Sequence, residues 1–252
     1  MHAIIEASRL QNWTDTIATA VEEYKLEVAE AGLQTAAVGP SQVIMVRGRL
    51  TRSGFEHYDP EAGPDASILG IPHDRKFADM IGKANSGELI ELRVTESLDL
   101  EISIGDRATV SMALLDPNTI RAQPDMNDLD LSNGAEIDGE SFAEAVSMVD
   151  LVSDHAVIRG DPDEEEVVVA AEGDSDDLEY RIGGEAITQP EITGADESMF
   201  SYDYLERVAG DVKGAHDDEI ALQFDHEHPI TLEYSPVEYS NAEVLLAPRI
   251  ES

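Results

Sequence analysis

The two halves of this chain carry similar apolar patterns at a nearly constant spacing. Three groups of residues recur in the same order, 128 to 131 positions further along. The pairs are Leu114-Leu115-Asp116-Pro117 with Leu245-Leu246-Ala247-Pro248; Phe77, Met80, Ile81 and Gly82 with Leu205, Val208, Ala209 and Gly210; and Trp13, Ile17 and Ala20 with Phe142, Val146 and Val149. This shared offset predicts two copies of one domain, each of about 120 residues, which is a common domain size. Duplicated folds usually form symmetric scaffolds and rarely contain two active sites, so the repeat favours a scaffold protein over an enzyme.

The charge of the chain is strongly acidic. Sixteen lysine and arginine residues stand against 54 aspartate and glutamate residues, which gives a formal net charge of −38. Self-repulsion of this size destabilises a compact fold in dilute salt. At about 1 M salt the screening length falls to about 3 Å, and most of the repulsion is removed. The composition therefore predicts a protein of a very salty cytoplasm.

Two other interpretations of the charge stay open. The first is an acidic protein that mimics DNA and binds a basic partner. The second is a disordered acidic chain, which is disfavoured because the acidic residues alternate with periodic apolar ones throughout. The absence of cysteine excludes disulfides and thiolate metal sites. We expect no membrane span and no secretory signal, because no long apolar run and no basic segment before an apolar block are present.

The local patterns predict four helices and many antiparallel strands. The first helix is expected to follow a cap at Ser8 and to carry Leu10, Trp13, Ile17 and Val21 on one stripe. The other three helices are expected to span about 74–84, 140–152 and 201–210. Strands are expected near 4–7, 25–29, 33–38, 43–50, 67–71, 89–95, 98–104, 108–115, 156–159, 166–172, 178–182, 220–224, 230–234 and 243–247. This is an α+β fold, with two helices packed on antiparallel sheet in each half. The predicted domains are 1–116 and 134–252, joined by a connecting loop at 117–133.

No catalytic or metal site stands out in the sequence. His226 and His228 alternate as on one strand face, but no third ligand is indicated, so a solvated strand end is the preferred interpretation. The acidic segments 125–140 and 174–185 lack the ligand spacing of a calcium loop. The chain has no phosphate-binding glycine loop and no nucleophile elbow. We therefore predict no cofactor, no metal and no enzyme activity, although a hydrolase with an acidic dyad stays open as a third class.

Four segments resemble the archaeal DNA sliding clamps of the proliferating cell nuclear antigen family, in their salt-adapted form. They are Leu151-Val152-Ser153-Asp154-His155, Ala171-Glu172-Gly173-Asp174, Ser198-Met199-Phe200-Ser201-Tyr202-Asp203-Tyr204-Leu205 and Leu246-Ala247-Pro248-Arg249-Ile250. The segment 116–131 resembles the family's interdomain connecting loop. The resemblance covers essentially the whole chain. It implies a homotrimeric ring of six similar domains, whose helices line a channel around duplex DNA.

The resemblance also implies partners and site residues. Such clamps are loaded by a clamp loader, have no catalytic activity, and tether DNA polymerase, flap nuclease and ligase, which bind through a short peptide motif. The matching partner-peptide pocket is Val38, Val43, Met126, Leu129, Pro229, Leu245, Ala247 and Pro248, all apolar as an anchor site should be. The basic residues near the channel helices are Arg9, Arg75, Lys76, Lys83, Arg207 and Lys213. The matching subunit interface comprises Thr109, Val110 and Ser111 of one strand and Glu179, Tyr180 and Arg181 of another.

The chain departs from the family pattern at several positions. Where channel lysines are usual, it has Asp79, Gly82, Glu144, Ser147, Asp150 and Gly210. Weak DNA contact is expected in dilute salt, and lysines would gain little in a salty cell because salt weakens phosphate contacts. Gly39 and Asn127 replace an acid and a proline that are common in the family, so detailed partner contacts differ. These changes leave open a host clamp, a paralogue or a virus-encoded clamp.

Overall fold

The fold is divided by its contacts into two compact units. The computed structural model describes residues 1–64, 67–122 and 129–249, with residues 74 and 75 described in their backbone alone. Unit 1 comprises Met1–Pro40, Val46–Gln123 and Ser235–Ala242, and unit 2 comprises Ser41–Met45, Pro124–Tyr234 and Glu243–Ser252. The predicted domain limits at 116 and 134 stay a prediction. The contact division differs from them because each unit includes a short segment from the other half of the chain.

Unit 1 contains two antiparallel sheets and two helices. One sheet has the order β5-β1-β7-β8-β9, and β2 lies between β3 and β6 in the other, with β4 beside β3. The elements are β1 (His2–Glu6), α1 (Ala7–Ala18), β2 (Glu23–Ala29), β3 (Gly32–Val38), β4 (Ile44–Thr51), β5 (His57–Asp59), β6 (Ile68–Pro72), α2 (Ala78–Ile81), β7 (Leu89–Val94), β8 (Asp99–Ile104) and β9 (Ala108–Ala113).

Unit 2 repeats this plan. One sheet has the order β13-β12-β11-β15, and the other contains β14-β10-β16-β17 with β18 beside β17. The elements are β10 (Asn133–Asp138), α3 (Gly139–Val149), β11 (His155–Asp161), β12 (Glu166–Glu172), β13 (Asp177–Ile182), β14 (Ile187–Glu191), β15 (Glu197–Ser201), α4 (Tyr202–Lys213), β16 (Glu219–Phe224), β17 (Ile230–Tyr234) and β18 (Ser240–Leu246).

The apolar helix stripes predicted from the sequence form the cores. Residues three or four positions apart lie on one helix face, so each stripe can be buried together. The stripes are Leu10, Trp13 and Ile17 of α1, Phe142, Val146 and Val149 of α3, and Leu205, Val208 and Ala209 of α4, all 4% exposed or less. The predicted α+β class, with two helices on antiparallel sheet in each half, is confirmed.

The predicted limits of the first two helices are wrong. Helix α1 begins at Ala7, and its cap position is Glu6, which makes no side-chain capping bond. Ser8 is inside the helix and its hydroxyl donates to Glu6 Oε1 at 2.6 Å. Val21 is buried but follows the end of α1. In place of one helix over 74–84, a π-helical turn at His73–Phe77 leads into the single turn of α2 (Ala78–Ile81). A π-helical turn next to an α-helix is rare.

Candidate functional surfaces

Two strands end their sheets and carry the predicted subunit interface. Among the described residues, β9 pairs with β8 alone in its sheet, and β13 pairs with β12 alone. An edge strand presents unpaired backbone N–H and C=O groups that can receive a further strand. Thr109, Val110 and Ser111 are exposed on β9. Both β9 and β13 are therefore sheet edges suited to pairing with another chain.

The edge strand β13 is held by an ion-pair cluster on one sheet face. Arg181 lies 2.7 Å from Glu179, 3.0 Å from Asp161 and 3.1 Å from Glu166. These hydrogen bonds raise the pKa of Arg181 and lower the pKa of both Asp161 and Glu179. Arg159 on β11 also contacts Glu179, at 2.6 Å. Because the pairs are exposed, we expect them to orient side chains on β13 more than to stabilise the fold.

Tyr180 faces the opposite side of this sheet. Its hydroxyl donates to Glu144 Oε2 of helix α3 at 3.0 Å. Partial burial, together with this bond to a carboxylate, raises the pKa of Tyr180. The side chain of a predicted interface residue is therefore bound to a predicted channel position within unit 2. If Tyr180 takes part in a subunit interface, we expect it to do so through its backbone N–H and C=O groups.

A second cluster joins the end of α2 to the start of β9. Arg107 donates to the Lys83 carbonyl at 2.6 Å and to Glu88 Oε2 at 2.8 Å. Glu88 Oε2 also accepts the Asn85 backbone N–H at 2.6 Å. The Arg107 hydrogen bond, with that of Asn85, lowers the pKa of Glu88 to about 2. Glu88 therefore stays ionised near neutral pH and fixes the loop that carries Lys83.

The helices differ in the number of cations that they carry. Lys76 and Lys83 are exposed beside α2, and Arg207 and Lys213 are exposed on α4. Helix α3 has no lysine or arginine, and its Glu140 and Glu144 are exposed. The guanidinium of Arg207 lies 5.7 Å from the ring centre of Tyr204 on the same helix. Cations that could meet phosphate are thus few and unevenly placed.

Arg9 is the predicted channel cation with the most contacts inside its own unit. Its guanidinium donates to the Gly54 carbonyl at 2.8 Å and lies 3.5 Å from Glu238. It also stacks over the ring of Tyr239, 5.5 Å from the ring centre. These contacts leave Arg9 less free for phosphate than the exposed lysines. The side chain of Arg75, another predicted channel residue, lies outside the described residues.

Most of the predicted partner-pocket residues lie in unit 2. The Val43 carbonyl accepts the Ala247 N–H at 2.8 Å, and the Arg249 N–H donates to the Met199 carbonyl at 2.7 Å. Leu245 is buried, whereas Val43, Leu129, Pro229, Ala247 and Pro248 are half-buried. Val38 is buried in unit 1, and Met126 falls outside the described residues. The hydrogen bonds bring Val43 and Ala247 together directly.

The histidine run at 225–228 is an exposed turn at the end of a strand, so His226 and His228 do not alternate on one strand face. It connects β16, which ends at Phe224, to β17, which begins at Ile230. Asp225 accepts hydrogen bonds from the His226 backbone N–H at 2.7 Å and from the Ser132 hydroxyl at 2.9 Å, and these lower its pKa. Within 1–64, 67–122 and 129–249 no group of three potential metal ligands was found. Over the same ranges, no helix is long and apolar enough to cross a membrane.

The fold resembles that of solved structures of one class of protein. The structure matches Archaeoglobus fulgidus PCNA, solved with the C-terminal region of FEN-1 bound, with a TM-score of 0.88, 29% identity and coverage of 100% of this chain and 99% of that one. It also matches PCNA from Thermococcus kodakaraensis with a TM-score of 0.85, 23% identity and coverage of 98% and 99%, which supports the fold. The architecture is therefore that of a PCNA-type clamp.

Sequence relatives then give the family. The DNA polymerase sliding clamp of Natronomonas pharaonis is 36% identical over 253 residues, covering 99% of this chain and 98% of the relative. That of Haloarcula marismortui is 35% identical over 254 residues, covering 100% and 99%. No family model matches the chain. The chain therefore belongs to the DNA polymerase sliding clamp family. These relatives come from halophilic archaea, which agrees with the salt adaptation predicted from the acidic composition of this chain.

Proposed function

We propose that this clamp acts as a homotrimeric ring that encircles duplex DNA and tethers replication and repair proteins. The observation that supports this most strongly is the full-length similarity to DNA polymerase sliding clamps, at 36% identity over 99% of the chain. Its role is that of a processivity factor and scaffold, and the chemistry belongs to its partners. This full-length similarity favours a clamp over the two alternatives that the sequence left open, an acidic DNA mimic and a hydrolase with an acidic dyad.

Subunit assembly rests on the two open edges. In this proposal, β9 of one subunit pairs with β13 of the next, so that each interface is heterologous and three copies close the ring. Pairing satisfies the backbone groups of both edges and removes the aggregation hazard of an exposed strand. Val110, which is 38% exposed near the middle of β9, would supply apolar contact there.

DNA is held by enclosure more than by affinity. A closed ring need not bind any base sequence, and free sliding requires weak phosphate contacts. The exposed cations Lys76, Lys83, Arg207 and Lys213 are the candidates for these contacts, with Arg75. At high salt each such contact contributes little, because counterions already screen the phosphates. Enclosure by the ring is unaffected by this loss.

Partner proteins are proposed to bind through a short peptide motif at the C-terminal pocket. DNA polymerase, a flap nuclease and a ligase are the proposed partners, and a clamp loader places the ring on DNA. The complex of A. fulgidus PCNA with the C-terminal region of FEN-1 supports the flap nuclease. Ala247 and Pro248 are half-buried, so a partner side chain could cover them. We place this activity in a salty archaeal cytoplasm.

A DNA-release experiment tests the proposal. A linear duplex is fixed to a bead at one end and carries a photocleavable linker in its middle. The clamp is added at high salt, the free end is blocked with streptavidin, and the beads are washed at about 1 M KCl, where phosphate contacts are weak. We expect the protein to stay on the DNA through the wash and to leave when light cuts the linker. Loss during the wash, or retention after cutting, would contradict enclosure.

A further inference from the structure

Unit 1 contains a pocket that differs from the partner-peptide pocket predicted from the sequence. Among the described residues, the two pockets share Val38. The volume of the pocket in unit 1 is about 300 Å³, and it lies where the ends of β2 and β3 meet the beginning of the connecting segment. Its floor is formed by Val21, Val38 and Ile120, which are 8%, 8% and 6% exposed. We name it the connector-base pocket. Pockets with apolar floors and a few polar groups at the rim are typical binding sites.

The wall formed by the connecting segment is built by local hydrogen bonds. Asp116 accepts the backbone N–H of Asn118 at its side chain and that of Thr119 at its carbonyl, both at 2.9 Å. This turn directs the chain so that Ile120 is buried. Arg121 then donates to the Pro40 carbonyl at 3.0 Å. Hydrogen bonds within unit 1 therefore hold this wall of the pocket in place, which lowers the cost of ordering it on binding.

The rim of the pocket is acidic. Glu22 and Glu23 are both exposed, and neither has an ion pair or side-chain hydrogen bond among the described residues. Arg121, the one cation among the described residues of the rim, donates to the Pro40 carbonyl. An apolar floor beside two uncompensated carboxylates is complementary to a segment in which an apolar residue adjoins a lysine or arginine. A second copy of this chain, with its net charge of −38, fits such a rim poorly.

We propose that the connector-base pocket receives one apolar side chain of a partner peptide while Glu22 and Glu23 hold an adjacent lysine or arginine. This inference rests on the proposed function, because it assumes that partners bind the clamp through peptide segments. It adds a chemical requirement to those segments: a neighbouring pair of one apolar and one basic residue. Contact pairs of opposite charge discriminate between peptides more than they raise affinity.

Two short probes test the pocket directly. The peptides acetyl-Gly-Leu-Lys-Gly-amide and acetyl-Gly-Leu-Glu-Gly-amide are titrated into the whole protein at about 1 M KCl, and the methyl signals of Val21 and Ile120 are followed by NMR. We expect the Leu-Lys peptide to bind about threefold more tightly, since an exposed pair contributes a modest factor at this salt. Equal affinities, or no shift of these methyl signals, would overturn the proposal.

Matched charge reversals on one strand provide the controls. Glu23→Lys is expected to reverse the preference between the two probes. Glu27→Lys, at a position on the same strand that is also exposed but lies outside the pocket, should leave the preference unchanged. If Glu27→Lys removes the preference as strongly as Glu23→Lys does, the effect is one of general charge and the proposal is wrong.

A third probe separates this inference from the proposed function. The C-terminal peptide of the A. fulgidus flap nuclease is titrated, with Ala247→Asp as the variant expected to abolish its binding. Binding of that peptide without any preference at the connector-base pocket would overturn this inference and leave the proposed function standing. Failure of all three peptides would overturn both.

Discussion

Val110→Asp is expected to convert the proposed trimer to a monomer. Val110 lies in the exposed middle of β9 and is 38% exposed. In the proposed ring it faces β13 of the next subunit, which carries Asp177 and Glu179. A carboxylate at this position loses apolar contact and adds like-charge repulsion, and an unfavourable charge within an interface costs several kcal/mol. A carboxylate enclosed in the interface is screened much less by salt than exposed charges are. Light scattering in about 3 M KCl, where the repulsion among exposed charges is removed, should therefore still change from three times 27.4 kDa to 27.4 kDa.

Leu98→Asp is the matched control. Leu98 is an exposed apolar residue of the same unit, 52% exposed, and lies in the turn between β7 and β8. It receives the same change of charge outside the proposed interface and should stay trimeric. Both variants should keep the far-UV circular dichroism of the parent, since neither residue is buried. A trimeric Val110→Asp protein, or a monomeric Leu98→Asp protein, would refute the edge pairing.

Removing salt should cause the second large effect. We expect the melting temperature to fall by about 10 °C or more between about 2 M and 0.1 M KCl, because the repulsion among 54 acidic residues returns as the screening length grows toward 10 Å. Trimer dissociation should accompany the fall below about 0.5 M, since association brings three chains of net charge −38 together. Differential scanning calorimetry and light scattering over the same salt series measure both.

A neutral solute distinguishes screening from general stabilisation. Sucrose is excluded from protein surfaces and strengthens burial, but it does not screen charge. In 0.1 M KCl, added sucrose should restore little of the lost melting temperature, whereas KCl should restore most of it by about 1 M. A melting temperature that is constant from dilute to molar salt would show that charge repulsion does not destabilise this fold in dilute salt.

The sequence predicts elements well where periodicity is strong and local. The stripe of Phe142, Val146 and Val149 defines α3 because buried helix residues repeat every three or four positions. Strands β5, β10, β14 and β15 were missed. Strand β10 begins at Asn133-Gly134, which is typical of a turn, and β14 contains Pro190, which fits an edge strand. Helix α2 was drawn too long because apolar spacing cannot distinguish a π-helical turn from an α-helix.

The functional surfaces were less predictable, because they depend on contacts between distant residues. Arg107 and Glu88 are 19 positions apart, and Tyr180 and Glu144 are 36 apart. No pattern in a single sequence pairs them among so many acidic residues. The connector-base pocket was missed for a local reason: Val21 was assigned to the stripe of α1, although the helix ends at Ala18. The neighbouring Glu22 and Glu23 could have suggested the acidic rim.

The most direct test of the account is an electron-microscopy image of the assembly in about 2 M KCl, where charge repulsion is screened. We predict a closed ring of six similar domains, with an open centre wide enough for a DNA duplex. Particles without a central hole, or isolated two-unit monomers at this salt, would contradict it.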